Sequence, residues 1–258
     1  MQGTNTYIVG TGQYRLIIDT AQGFREWADL LDVTLSDRSI ALSHVFLTHW
    51  HGDHTGGVPD LIRMYPDLVD GIYKNSPEHG QNPIEDGQIF KVEGATIRAV
   101  HGPGHSEDHM CFVLEEENAM FTGDNVLGHG TSAVEQLGLY METLRKLQSQ
   151  GCKTGYPAHG AVILDLNGRI ATELGQKARR ENQCLTALGR IRKEGSAGQL
   201  VSVTVSELIN VIHGPRLNEE VRKMALEPFM EEVLRKLAED GKVAFRVRKG
   251  VKTWFALA

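Results

Sequence analysis

The chain has 258 residues, 41% of them apolar, and a formal net charge of −6, which allows a sizeable core in one large domain or one and a half smaller ones. The lack of any run of about 18 apolar residues excludes a membrane-spanning helix, the start Met1-Gln2-Gly3-Thr4 lacks a secretory pattern, and Cys111, Cys152 and Cys184 fit neither a disulfide framework nor a thiolate zinc site; a soluble cytoplasmic protein is expected. Charge is uneven: residues 1–170 carry 11 basic and 22 acidic side chains, a balance of −11, whereas residues 171–258 carry 16 and 11, a balance of +5.

In chain order, short β-rich runs are predicted at 7–9, 16–18 and 45–47, with helices over 24–35 and 57–65 around the third. Further strands follow at 88–92, 96–100, 110–114 and 119–122, then a helix over 134–148. This mixed α/β pattern makes residues 1–170 the expected catalytic domain. From residue 171 the texture becomes helical, with long helices over 170–193 and 218–240 and a linker at Gly195-Ser196-Ala197-Gly198. Thr204-Val205-Ser206-Glu207 matches a capping box and opens a shorter helix between them. Gly241 stops the last helix, and the runs 243–247 and 251–257 flank Arg248-Lys249-Gly250 as a hairpin.

The chemistry concentrates in His49, His51, Gly52, Asp53 and His54, directly after the apolar run 43–47. Residues two apart share a strand face, so His49 and His51 are expected to point one way, while a turn at Gly52 swings Asp53 and His54 to a neighbouring point. Two ligand pairs aimed at adjacent points suit a centre with two divalent cations about 3.5–4 Å apart. Imidazole and carboxylate accept zinc, manganese or iron, with zinc the default. His105, Asp124 and His159 sit at strand-to-loop junctions flanked by glycine or proline and complete the donor set. His129, between Gly128 and Gly130, is expected on the substrate side of the cleft, and either His101 or His109 is a candidate to stand behind His105. Asp19, ending the run 16–18, either holds a ligand imidazole or serves a turn. His44, His79 and His213 read as ordinary surface or core residues.

The pattern His-x-His-x-Asp-His, a distant His, an Asp and a final His resembles the metallo-β-lactamase superfamily, over residues 4–162. The resemblance implies a four-layer αββα sandwich with metals at one edge of its two sheets. It implies His49, His51 and His105 on the first metal, Asp53, His54 and His159 on the second, and Asp124 between them. A closer resemblance, covering nearly the whole chain, is carried by Gln2-Gly3-Thr4-Asn5-Thr6-Tyr7, Thr48-His49-Trp50-His51, Asp108-His109-Met110-Cys111 and Gly123-Asp124-Asn125-Val126-Leu127-Gly128-His129. The first two are similar to a branch with a helical, winged-helix-like C-terminal region, and the last two look most like its fungal members. It contains animal β-lactamase-like-2 endoribonucleases and fungal thioesterases of the atrochrysone carboxyl carrier-protein type. Branch members carry some tens of further residues before the segment at Gln2, supplying a first strand, so a truncated form or a different gene start is expected here.

The fungal resemblance implies a thioester hydrolase that releases a polyketide acid from the acyl carrier protein of a non-reducing polyketide synthase. Asp53 would orient the nucleophile while coordinating. The alternative is a single-strand endoribonuclease, favoured by the basic C-terminal balance, although acids interleave there and few aromatics are available for stacking. A third reading, a metal-bound interaction protein without catalysis, would show as missing ligands, and all seven are present. Leu226, Phe229, Val233 and Leu237 recur at helical spacing and are expected to pack on their own domain or a sister subunit, which leaves a homodimer open.

Overall fold

The computed structural model describes residues 3–194 and 200–257. The expected linker at 195–198 lies outside them. The chain divides into two compact units, one running to Ala133 and resuming over Leu139–Ala171, the other comprising Val134–Gly138 and everything from Thr172 onward.

The first unit is built on two five-stranded sheets. Sheet one has the order β1 (Tyr7–Val9), β2 (Tyr14–Ile18), β3 (Ala41–Phe46), β4 (Ile72–Lys74), β5 (Asn82–Pro83), antiparallel at β1–β2 and parallel thereafter. Sheet two has the antiparallel set β6 (Ile89–Val92), β7 (Ala95–His101), β8 (Met110–Leu114), β9 (Ala119–Gly123), with β10 (Thr154–Pro157) added parallel to β9. Side chains alternate across a strand, so Leu16 and Ile18 face the second sheet while Ile17 faces away. The inter-sheet core joins Leu16, Ile18 and Phe46 to Ile97, Phe112 and Phe121. Phe46 stacks on Phe112 at 5.2 Å. Behind sheet one, Ile17, Val45 and Leu47 meet α1 (Arg25–Asp37) through Leu31 and Leu35 and α3 (Val58–Met64) through Leu61. Beyond sheet two, α4 (Leu137–Ser149) is tied by Tyr140 to the Asn125 carbonyl and by Thr143 to that of Pro103. Helix, sheet, sheet, helix is the αββα order.

The short strands β4, β5 and β10 have no counterpart among the predicted elements. They are two to four residues long, and Pro83, Gly155 and Pro157 in the last two signal turn rather than strand. At the start of α3 the backbone runs so close to α1 that a Cβ on Gly57 would collide with the Thr20 carbonyl and the Trp27 ring. Gly57→Ala is therefore expected to destabilise the chain by about 2 kcal/mol, read as a lower urea midpoint at unchanged m-value.

In the second unit α5 (Leu166–Glu194), which begins before the boundary, is followed by α6 (Val205–His213), α7 (Glu219–Val221), α8 (Glu227–Glu239) and the hairpin β11 (Val243–Arg248) and β12 (Val251–Ala256). The capping box at Thr204 and Glu207 forms, each side chain reaching the other's backbone N–H. The helix expected over 218–240 forms as continuous helical backbone from Glu219 to Glu239, with one π-helical turn at Arg222–Leu226 between α7 and α8. Pro228 accounts for the π turn: it offers no N–H, and its ring crowds the carbonyl four residues back. Val233 and Leu237 are fully buried, with Cys184, Leu188 and Trp254 in the same unit's interior. Phe229 lies under Lys177 and Arg180 of α5. Among the described residues, no helix is long and apolar enough to cross a membrane.

Candidate metal centre

The apolar strand β3 ends at Phe46, so His49 and His51 are placed by the loop beyond it rather than by strand alternation as expected. His51 caps α2 (Gly52–Thr55), a single helical turn that carries Asp53 and His54. The loop presents different nitrogens from the two imidazoles: Nε2 of His49 and Nδ1 of His51 lie 2.8 Å apart. His105, on the loop after β7, brings Nε2 to 3.2 Å from the first and 3.1 Å from the second. Asp124, just beyond β9, closes this group with Oδ2 at 3.7 Å from His105 Nε2. Its other oxygen faces a second group, lying 3.6 Å from His54 Nε2 and 3.3 Å from His159 Nε2. Asp53 Oδ2 completes that group at 3.3 Å from His159 Nε2 and 3.7 Å from His54 Nε2. All seven sequence-predicted donors thus converge, in two clusters that share Asp124.

The donor set fits divalent cations. Four donors about 2.0–2.2 Å from a tetrahedral ion stand roughly 3.3–3.5 Å from one another, which is close to the spacing found here. His54 Nε2 and Asp124 Oδ1 are buried with no hydrogen-bond partner, an arrangement that costs free energy unless something positive lies between them. The imidazoles are also tethered from behind. Nδ1 of His54 meets Asp19 at 2.8 Å, that of His49 meets the Thr48 hydroxyl at 3.0 Å, and that of His105 meets the Ala133 carbonyl at 2.8 Å. Each tether engages Nδ1, so that Nε2 is the nitrogen turned into the cluster, where a cation would take its lone pair.

Asp19 is itself buried and accepts three further contacts, from the Thr48 N–H at 2.8 Å and its hydroxyl at 3.0 and 2.9 Å. His129 is exposed, its ring against Gly160 and so beside His159, without a place in either cluster. Of the pair bracketing His105, His101 turns outward to the Glu107 carbonyl. His109 is fully buried and accepts the Asp124 N–H at 3.0 Å, while Asn125 Nδ2 sits 2.9 Å from its Nδ1. Gly123 leaves room for that ring: a Cβ there would come within 2.6 Å of it, and its φ of 50° suits glycine. The loop carrying His105 is pinned by Ser106 to Asp108 at 2.8 Å and by a buried ion pair between Asp108 and Lys74. Sequence reasoning did not single out Asn125, Ser106, Asp108 or Lys74; adjacency to Asp124 and His105 was the only signal for the first three. Trp50 stands half exposed at the mouth, its ring 4.4 Å from that of His51.

Electrostatics divide the two clusters. Burial, then the neighbouring imidazoles, pushes His49 far down, and burial lowers His105 and His109, so these rings stay neutral. Burial also disfavours charge on His54, but Asp19 and Asp124 outweigh it and raise that pKa to about 10. Burial opposes the Asp124 carboxylate as well, yet His159 and His54 hold it well below the usual range. The sign for stability follows from His54. Its folded pKa lies above the unfolded value near 6.5, so its contribution in the metal-free chain is full below pH 6.5 and lost as pH rises through about 10. Urea unfolding of chelator-treated protein at pH 6, 8 and 10 is expected to show the midpoint falling across that window.

Residues 2–159 match the sequence profile of the metallo-β-lactamase superfamily. The chain belongs to that superfamily. Among solved structures, a metallo-β-lactamase family protein from Thermus thermophilus is similar with a TM-score of 0.69 at 20% identity, over 98% of this chain and 94% of that one. A β-lactamase domain protein from Burkholderia ambifaria is similar with a TM-score of 0.75 at 15% identity, over 98% and 88%. These likenesses concern the superfamily fold. In sequence, this superfamily member is 88% identical over its full length to the atrochrysone carboxyl ACP thioesterase AacuM of Aspergillus aculeatus, covering 82% of that protein. It is 78% identical to the atrochrysone carboxyl ACP thioesterase AgnL7 of Paecilomyces divaricatus, covering 81% of it.

Proposed function

We propose that the chain is a metal-dependent thioesterase that releases a polyketide acid from the acyl carrier protein of a non-reducing polyketide synthase. The observation that carries the substrate class is the 88% identity, along the entire chain, to a protein named as an atrochrysone carboxyl ACP thioesterase. The chemistry is supported by the paired donor clusters. His49, His51 and His105 would hold one cation, Asp53, His54 and His159 the other, and Asp124 both, with zinc the default and manganese or iron compatible. Cations bound there supply Lewis acidity that polarises a carbonyl and lowers the pKa of water toward about 7.

The protein's own groups do the rest. Asp53, one-third exposed and touching His159 and the Thr4 hydroxyl, faces solvent and would orient the attacking water. Asp19 holds His54 in register, and His129, exposed beside His159, would meet the substrate. A thiol with a reference pKa of about 8.5 leaves as thiolate, so no dedicated acid is required behind it. We assign catalysis to residues 1–170, followed by a winged-helix-like region over 171–258, in a cytoplasmic protein; a homodimer is compatible with this.

The test is a parallel assay of a carrier-bound polyketide thioester and single-stranded RNA, with metal content measured on the same sample. Hydrolysis of the thioester, RNA left intact, and loss of turnover in His51→Ala are expected. A protein holding two cations yet leaving the thioester whole would overturn the reading.

A further inference from the structure

We infer that a groove between α5 and α6, wholly within the second unit, docks an acidic amphipathic helix of the carrier domain; the inference rests on the thioesterase reading above. Arg179, Gln183, Thr186 and Arg190 follow at steps of four, three and four, which places them on one face of α5 and along one wall of a 390 Å³ groove. Val211 and Ile212 of α6 line it opposite, and Val211 is 45% exposed, an apolar side chain left uncovered.

The charges in this wall are of one sign. Arg179 and Arg190 line the groove, and among the described residues neither guanidinium has a carboxylate within ion-pair distance. The acids nearby are engaged or elsewhere. Glu181 is buried against Lys236 at 2.9 Å, Glu173 is buried, Glu207 is spent in the capping box, and Glu194 lies at the last residue of α5, outside the lining. Two unopposed guanidinium groups eleven residues apart stand roughly 16 Å from each other along the axis, about three helical turns. A helix of that length with carboxylates near both ends and an apolar stripe between them matches the wall in charge and in spacing. Arginine pairs with carboxylate through two parallel hydrogen bonds, which gives orientation as well as attraction. Single-stranded RNA is matched less well, since the lining offers no aromatic ring for base stacking.

The experiment uses the full chain carrying Arg179→Glu and Arg190→Glu, with Arg179→Lys and Arg190→Lys as the conservative control. Each is assayed on one acyl group presented as a carrier-bound thioester and as an N-acetylcysteamine thioester. Charge reversal is expected to raise KM for the carrier-bound substrate about tenfold or more and to flatten its salt dependence, with turnover of the small thioester unchanged and the lysine variant close to wild type. Unchanged KM on the carrier would overturn the docking site while leaving the thioesterase reading intact. Equal losses on both substrates would overturn it too, as would loss of RNA binding alone. Failure of the wild-type chain on both thioesters would instead sink the thioesterase reading. Carrier binding followed by fluorescence anisotropy, lost or retained in the reversed variant, would then decide the docking site separately.

Discussion

Asp124→Ala is expected to strip cations from both clusters and to lower kcat/KM for a carrier-bound thioester by about a thousandfold. Of the seven donors, Asp124 faces both groups, Oδ2 toward His105 and Oδ1 toward His54 and His159. Lewis-acid stabilisation is worth several kcal/mol, and each 1.36 kcal/mol is a factor of about ten in rate, so losing it at both clusters reaches that size. Asp124→Asn is the sharper variant. It preserves shape and the backbone contact with His109 but turns one of the two oxygens into an amide group that cannot ligate, so one cation of the pair is expected to go. Elemental analysis beside steady-state kinetics checks both variants. Retention of two cations by Asp124→Ala, with activity within tenfold of the parent, would exclude the shared-ligand arrangement.

The second large effect is expected at Asp19, which is buried behind the donors. Its carboxylate gathers the His54 imidazole, the Thr48 N–H and the Thr48 hydroxyl, and the same hydroxyl meets His49. One buried side chain therefore sets the orientation of a donor in each cluster. Asp19→Ala leaves these groups buried and unmatched, a loss of about 3–5 kcal/mol in stability, visible as a marked fall in the denaturant midpoint. Asp19→Asn separates position from charge. The residue has φ of 60°, a conformation asparagine tolerates, so the variant is expected to fold while binding cations about 10–100-fold more weakly. A variant that folds normally and binds cations with parental affinity would confine Asp19 to a turn.

Much of the framework was legible because its causes are local. The capping box at Thr204 and Glu207 and the hairpin around Lys249 and Gly250 depend on contacts within a few residues, and both form where the pattern places them. Alternation identified the longer strands, whose two faces meet different layers, as Leu16 and Ile17 do. It failed for β4, β5 and β10, which are short, carry proline or glycine in the last two, and owe their pairing to the strand beside them. The π turn before α8 was not foreseen because the apolar spacing continues smoothly through Pro228 while the pattern of backbone hydrogen bonds shifts there.

The opening cluster at His49, His51, Asp53 and His54 was determined by the sequence itself, since donors crowded into six residues after an apolar strand must emerge at one place whatever surrounds them. Tertiary structure alone decided how that place was completed. His105, Asp124 and His159 come from loops after β7, β9 and β10, strands of one sheet, and their convergence on residues that follow β3 of the other depends on how the two sheets are packed. The same is true of which nitrogen each imidazole presents, because the acceptors that hold the opposite nitrogen, Asp19, Thr48 and the Ala133 carbonyl, include groups 28 and 35 residues away. Local pattern can nominate a donor. Its lone pair is aimed by hydrogen bonds that exist only once distant segments have packed.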